Sequence, residues 1–396
     1  MRGPHGPDEP REDGAEPRAR PDPHRGRPLP AVLPARVSHR PPLPRAHRAR
    51  ARGGGGAPRA PARGRLAGAG GRVIDLSIVI VSWNGRALLE ACLESVEREV
   101  RGRAAPDRIE TETLVVDQAS QDGSAAAVRA RFPWAELIEL PRNVGYAAGN
   151  NAGLRRARGR HCVLLNNDTV VLPGALERCV RYLDANPAVG VVGPQLVDPD
   201  GHKQNSVHSV PNLVSEVVPK SLLETIAPLR YPSKRYEHPG PIAVEAVLGA
   251  CLVVRREVLE TAGLLPEDYF MFLEETDWCW RIRRAGWKVV HLPDVRVIHH
   301  HGATSKKRLP AETRIEYHRS LYHFYEKNRG PSVARAAFAL RVAKTALRVA
   351  TGWVAAPLSR GRRARWIEDV RLLAWHLRGR PAGAGLARLA AGEQPG

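Results

Sequence analysis

The sequence holds no CxxC pair: its five cysteines, Cys92, Cys162, Cys179, Cys251 and Cys279, are scattered and odd in number. Neither a disulfide framework nor a zinc site is indicated, and a reducing cytoplasm is the expected compartment. No apolar run approaches the roughly 18 residues that a membrane span requires, and the Arg/Pro-rich N-terminus lacks the apolar segment of a secretory signal. Two nucleotide-binding signatures are missing as well. A dinucleotide fold places GxGxxG after its first strand, but the chain reads SWNGRALL there with the single Gly85, and GxxxxGK[ST] occurs nowhere. Dehydrogenase and P-loop chemistries are thereby excluded.

The charge is unevenly spread. The formal net charge is +20, but residues 1–72 hold 16 Lys+Arg against 6 Asp+Glu and residues 331–396 hold 12 against 3, so the long middle of the chain is close to neutral. A groove for phosphate backbones needs its cations on the folded part, so no nucleic-acid partner is expected. With 43% hydrophobic residues in 396, the chain can bury one large core or two modest ones. Residues 1–72 are rich in Pro, Arg, Gly and Ala, contain GGGG at 53–56, and show no periodicity. They read as a disordered tail, either a solvated extension or a basic arm for anionic lipid or a partner.

From Asp75 the texture becomes apolar runs alternating with amphipathic stretches. LSIVIVS (76–82) reads as a buried strand, and RALLEACLESVERE (86–99) as a helix with Leu88, Leu89, Cys92, Leu93 and Val96 on one face. ETLVVD (112–117) precedes a helix near 122–131, AELIEL (135–140) one near 147–157, and HCVLLN (161–166) one that Pro173 opens at its first position. Four such units predict an α/β fold with a mostly parallel, doubly wound sheet.

Polar residues gather where these strands end: Ser82-Trp83-Asn84, Asp117 to Ser120, Asn143-Val144-Gly145, and Asn166-Asn167-Asp168. Ligands of open α/β sheets bind outside the carboxyl ends of the strands, so these clusters mark a rim site. Ser120 and Gly123 are equally well explained as turn residues. Asp117 and Asp168 follow buried strands closely, and a carboxylate there suits Mg²⁺ or Mn²⁺ bridging a diphosphate, since these cations take hard oxygen ligands.

In order, SIVIVSWNG, LVVDQASQDGS, RNVGYAAGNNAG, LLNNDT, GACLVVRREVLETAG and FMFLEETDWCWRIRRAGW resemble the inverting nucleotide-sugar glycosyltransferases of family 2, especially a bacterial rhamnosyltransferase-like branch. The similarity spans about residues 75–305. It implies a GT-A fold, Rossmann-like with a smaller mixed region on the acceptor side, a nucleotide-diphosphate sugar donor and a divalent metal, Mn²⁺ or Mg²⁺. Asp117 matches the acid that accepts from N3 of a pyrimidine base, with Ser82, Trp83 and Asn84 beside it and Trp83 able to stack on the base. Asn143 and Gly145 match the loop beneath nucleotide and donor sugar. NND matches the metal-binding DxD element, leaving Asp168 as the direct ligand and Asn166 and Asn167 for ribose or sugar hydroxyls.

FLEETDWCWRIRRAGW begins a helix with Glu274, Glu275 and Asp277, a first turn that favours negative charge in any case. By the resemblance Glu275 aligns with the catalytic base, where Asp is usual, and Asp277 is the alternative. A single base suffices, because inversion is one in-line displacement without a protein nucleophile. In HLPDVRVIHHHGATS (291–305), alternation puts His299 and His301 on one face and His300 on the other. Related members complete the metal site with a histidine at about this distance beyond the base, which selects His299; His291 is expected to pack or cap. Gly249 and Ala250, in a strand-to-helix tract 247–260, together with Glu274, are assigned to the acceptor. His208 and Arg235, in the less legible stretch 198–245, are acceptor candidates better read as surface.

The chain thus divides into the tail 1–72, a nucleotide-sugar half 73–198, an acceptor and catalytic half 199–330, and a basic helical extension 331–396. On a helical wheel of 332–358, Arg341, Lys344 and Arg348 oppose Phe338, Val342, Ala346, Val349 and Trp353. Such a helix suits either an anionic membrane surface or a packed position on the core. The expected activity is metal-dependent inverting transfer of a sugar to a glycan or lipid-linked acceptor in envelope polysaccharide synthesis, with dTDP-rhamnose as first donor. UDP-galactofuranose or another UDP-hexose is the next donor, and a non-catalytic sugar-nucleotide-binding or scaffold protein the alternative of another class.

Overall fold

The computed structural model describes residues 73–101, 109–228, 230–232, 238–300, 310–386 and 388; the tail 1–72, Arg235 and His301 lie outside them. β1 (Leu76–Ser82) is buried along almost its whole length, as a central strand covered on both faces must be. It is followed by α1 (Arg86–Arg101), β2 (Thr111–Asp117), α2 (Ser124–Arg131), β3 (Glu136–Glu139), α3 (Tyr146–Leu154) and β4 (His161–Asn166). These four strands are mutually parallel in the order β3-β2-β1-β4. Alternation along β1 divides the core: Leu76, Ile78 and Ile80 pack with Leu89, Cys92, Leu93 and Val96 of α1, while Val79 faces Ala147 and Leu154 of α3. α3 can lie this close because Gly149 and Gly153 turn toward the side chains of Val81 and Val79, where a Cβ would collide.

Beyond β4 the sheet becomes mixed. β5 (Thr169–Val171) leaves β4 after two residues, and α4 (Ala175–Ala185) leads to β6 (Val189–Val197). Pro173 is not the first residue of α4 as the sequence suggested; Gly174 caps the helix at φ 80°, so the proline precedes the cap. The short strands β7 (Val207–His208), β8 (Ile242–Ala243) and β9 (Ala246–Val247) frame α5 (Leu213–Val217) and α6 (Lys220–Ile226), and β10 (Cys251–Arg255) runs straight into α7 (Arg256–Ala262). α8 (Glu274–Arg284) precedes the long β11 (Lys288–His299). β10 is antiparallel to both β4 and β6 and joins the two halves; β11 runs parallel to β6 and antiparallel to β5 at the far edge. The order β3-β2-β1-β4-β10-β6-β11-β5 is a parallel half continued by a mixed region, as the resemblance implied.

Three helices complete the described chain: α9 (Pro310–Arg329), α10 (Pro331–Ala355) and α11 (Arg360–Leu377), the last two joined by a 3₁₀ turn at Ala356–Leu358. α9 is buried against the segment around α8 through Leu321, Phe324 and Tyr325, which meet Tyr269 and Leu273, and α11 caps it with Leu372 and Trp375. The cations of α10 do not form a free face. Arg341 pairs with buried Glu216 of α5, Lys344 reaches the Glu216 carbonyl, and Arg348 meets Asp369 of α11 at 3.3 Å. An unpaired Glu216 would be costly in that setting, so it draws the basic face inward. Among the described residues no helix is long and apolar enough to cross a membrane, and the five cysteines are free and buried.

Candidate active site

The rim clusters meet along the carboxyl ends of β1, β2 and β4. Asp117 ends β2 opposite Ser82 at the end of β1. Its Oδ2 accepts from Ser120 N at 3.0 Å, while its buried Oδ1 has no hydrogen-bond partner among the described residues. A buried carboxylate oxygen left unpaired is costly unless a ligand donor meets it. Ser120 and Asn84 brace the loops instead: Ser120 Oγ accepts from Asn84 N at 3.0 Å, and Asn84 Oδ1 accepts from Gln121 N at 2.7 Å. Asn84 sits at φ 49°, a region asparagine tolerates better than most residues. Ser82 Oγ accepts from Asn167 Nδ2 at 3.0 Å, tying the two strand ends together, and Trp83 next to Ser82 is half-buried.

Asn166, Asn167 and Asp168 occupy the step between β4 and β5. Asn166 is the last residue of β4, its N donating to Ala250 O at 3.0 Å, and its carbonyl accepts the Thr169 hydroxyl at 2.7 Å. The next two residues carry the chain from the sheet centre to its far edge, where Thr169 pairs with His299. That pairing places His299 Nε2 3.4 Å from Asp168 Oδ1, and His300 N donates to Asp168 O at 2.8 Å. Among the described residues the buried Asp168 Oδ1 has no hydrogen-bond partner, while the other nitrogen of the imidazole is held by Gln204, whose Oε1 is 3.0 Å from Nδ1. A carboxylate oxygen and an imidazole nitrogen, side by side and oriented from behind, are a donor set that fits a divalent cation. A separate Asp198, Asp200 and His202 group also clusters, but it is solvent-exposed at the turn after β6.

Asn143 Oδ1 accepts from Gly145 N at 3.0 Å and shapes the loop into α3. Gly145 has φ 88°, and a Cβ there would strike the Phe270 carbonyl, which accepts from Tyr146 N at 2.8 Å. Glycine is required on both counts. This contact links the loop before α3 to the segment before α8, and the Tyr146 hydroxyl donates to Gly249 O at 2.7 Å, drawing in the β9–β10 turn. Gly249 is again bound by space: a Cβ would lie 2.6 Å from that hydroxyl. Ala250 is buried beside it.

α8 begins under strain. Phe272 and Leu273 have φ 72° and 67°, two successive side-chain-bearing residues in the left-handed region. Each costs on the order of 1–3 kcal/mol, so the surroundings must impose them. The Met271 carbonyl accepts from Ser320 of α9 at 2.7 Å, and Leu273 O accepts from Asp277 N at 2.8 Å. The strained turn delivers Glu274, Glu275 and Asp277 into the interior, all less than a tenth exposed.

The three carboxylates differ in what they have left to do. Asp277 is engaged: its Oδ2 accepts from Tyr269 OH at 2.9 Å and lies 3.1 Å from Lys327 Nζ. Among the described residues Glu274 and Glu275 make no salt bridge; each has a buried Oε2 without a hydrogen-bond partner, as Asp277 has at Oδ1, but only Asp277 has its other oxygen held by a hydroxyl and an ammonium. Burial pushes the Glu275 carboxyl up to about 7, against the backbone amides of Gly249, Glu275 and Thr276 that stabilise its anion. Glu274 is pushed well up by burial and by its neighbour Glu275. The result is one acid poised to exchange a proton near neutrality, beside Gly249.

Of the remaining candidates, His291 packs: its Nδ1 is 3.1 Å from Gly193 O, and burial lowers its pKa to about 4. His208 lies in the β7–β9 ribbon. Sequence reasoning missed Gln204, Tyr146, Tyr269 and Lys327, which orient the site residues. Only Tyr146 carried a signal, lying inside the RNVGYAAGNN motif.

Residues 77–263 match the family model described as Glycosyl transferase family 2. Among curated proteins, the N-acetylglucosaminyl-diphospho-decaprenol L-rhamnosyltransferase of Mycobacterium tuberculosis is 29% identical over 265 residues, covering 63% of this chain and 83% of the relative. The dTDP-rhamnosyl transferase RfbF of Shigella flexneri is 25% identical over 174 residues, 43% of this chain and 54% of the relative. Among solved structures, a mannosyltransferase of Pyrobaculum calidifontis in complex with GDP-Man and Mn²⁺ has a TM-score of 0.46 at 22% identity, covering 78% of this chain and 87% of that one.

Proposed function

We propose that this chain, a family 2 glycosyltransferase through its residues 77–263, moves rhamnose from dTDP-rhamnose, with inversion, onto a lipid-linked envelope glycan. The observation that carries the reading is a set of buried, unpartnered carboxylate oxygens, those of Asp117, Asp168 and Glu275, along the rim from nucleotide to acceptor. The rhamnosyl donor and the lipid-linked acceptor are taken from the relatives' names. On this reading residues 73–198 bind the donor and residues 199–330 the acceptor. The enzyme works at the inner face of the membrane that carries the acceptor.

Asp117 Oδ1 accepts from the pyrimidine base, with Ser82, Trp83 and Asn84 forming the wall and Asn143 and Gly145 the floor. Asn166 and Asn167 meet the ribose or the donor sugar. Asp168 and His299 would hold a divalent cation, which when bound neutralises the donor diphosphate as it leaves. Glu275 takes the proton of the acceptor hydroxyl, and Gly249, Ala250 and Glu274 line the approach of that hydroxyl. A base with a pKa near neutrality is matched to this task. Asp277 holds α8 in place through Tyr269 and Lys327, so its charge is already spent.

The test is nucleoside-diphosphate release from a panel of nucleotide sugars with Mn²⁺, with and without acceptor extract. Acceptor-dependent dTDP release from dTDP-rhamnose supports the reading. Release from UDP-galactofuranose or another UDP-hexose instead replaces the donor. Binding of a donor that is never consumed favours a non-catalytic protein.

A further inference from the structure

Several of the large apolar side chains left in water lie close together in the chain. Among the described residues, Leu347, Trp353, Val354 and Leu358, on α10 and the turn after it, are 64%, 63%, 63% and 71% exposed. Val214 and Val217 are more than half exposed on α5, which α10 touches through Glu216. Along α10 the exposed positions Ala343, Leu347, Ala350 and Val354 recur every three or four residues, so they form one solvent-facing stripe. The turn at the end of that stripe leads directly into Arg360, Arg362, Arg363 and Arg365, all exposed, and none makes an ion pair among the described residues. α10 itself contains no acidic residue.

We propose that this stripe and the arginines at its end form a docking surface for an anionic lipid membrane, with the α10–α11 turn pressed into the headgroup region. Apolar side chains beside unpaired guanidinium groups match an interface of acyl chains and phosphates. A second copy of the chain is the poorer occupant, because a two-fold contact through this stripe brings two sets of unpaired arginines together without an acid to meet them. The surface differs from the helical-wheel expectation: Arg341 and Lys344 meet Glu216, Phe338 packs with Tyr322, and the exposed apolar positions are Leu347 and Val354 rather than Val342, Ala346 and Val349. The assignment is independent of which sugar is transferred.

The experiment is co-sedimentation of the full chain with vesicles of phosphatidylcholine alone and of phosphatidylcholine with phosphatidylglycerol. Binding only to the phosphatidylglycerol vesicles, weakened by salt, is expected. The triple change Arg362→Glu, Arg363→Glu and Arg365→Glu should lower the partition coefficient by roughly a hundredfold, or more. The pair Leu347→Glu and Val354→Glu should abolish binding. Both variants should keep the parent's thermal midpoint and its turnover with a detergent-dispersed acceptor, since every altered side chain is exposed. Equal binding to neutral vesicles, no binding, or unchanged binding in either variant overturns the proposal. A dimer in light scattering that Leu347→Glu dissociates overturns it too, by assigning the face to a second copy.

Discussion

Replacing Glu275 by Gln separates the base from its surroundings, because the change keeps shape and removes only the titrating charge. General bases contribute about 10²–10⁴-fold to the rate, so kcat should fall by that factor, equivalent to roughly 3–5 kcal/mol of barrier. Donor affinity should be unchanged, since the residues proposed to contact the nucleotide lie at the ends of β1, β2 and β4. Stability should move the other way. Burial raises the folded-state pKa of Glu275 from 4.5 to about 7. The folded chain therefore holds this proton more tightly than the unfolded chain. Its contribution is most favourable below pH 4.5, is lost as pH rises toward 7, and is constant above that. Gln removes this penalty, which is on the order of 3 kcal/mol above pH 7, so the variant should melt several degrees higher at pH 8 and show no gain at pH 4. Parent kcat should fall as pH drops below about 7, because only the ionised carboxylate accepts a proton. Calorimetry and steady-state rates on the same preparations check both halves. Full turnover in Glu275→Gln, or lost turnover accompanied by lost stability, refutes the assignment.

Other outcomes follow from the same geometry. Asp277→Asn weakens the fully buried acceptor of the Tyr269 hydroxyl, while the partly exposed Lys327 keeps Asp268 at 2.9 Å, so it should cost about 1–3 kcal/mol in chemical denaturation, with lost activity recovered in part at low temperature. Asp168→Ala and His299→Ala should each raise the Mn²⁺ concentration needed for half-maximal donor binding at least tenfold in titration calorimetry, whereas exposed His202→Ala should not. Gly145→Ala meets both a positive φ and the Phe270 carbonyl, so it should destabilise by more than 1 kcal/mol in urea unfolding and weaken donor binding.

What could be read from the sequence was local. The units β1-α1 to β4 have buried strands and one-sided helices, and their boundaries fall within a few residues of the hydrophobic pattern. The chain reversal of β5 was not readable, because nothing in NNDT specifies a partner strand 130 residues away. His299 could be chosen only by resemblance, and its closeness to Asp168 follows from that pairing. The three carboxylates of α8 were equivalent in sequence; Lys327 and Tyr269 distinguish Asp277 from Glu275, and α9 supplies one of them from 50 residues downstream. The helical wheel of α10 did not show which positions stay in water: Phe338 packs on Tyr322 while Leu347 and Val354 face solvent, and the buried acid that draws Arg341 inward, Glu216, lies in a stretch without readable periodicity.

The central claim is one-step transfer with Glu275 as the only base. Proton NMR of the glycosylated product, formed from dTDP-rhamnose or whichever donor the panel shows to be consumed, tests it most directly. The account predicts an anomeric configuration opposite to that of the donor from the first turnovers onward, and no product from Glu275→Gln. A product that retains the donor's configuration, or inverted product formed by Glu275→Gln at the parent rate, contradicts it.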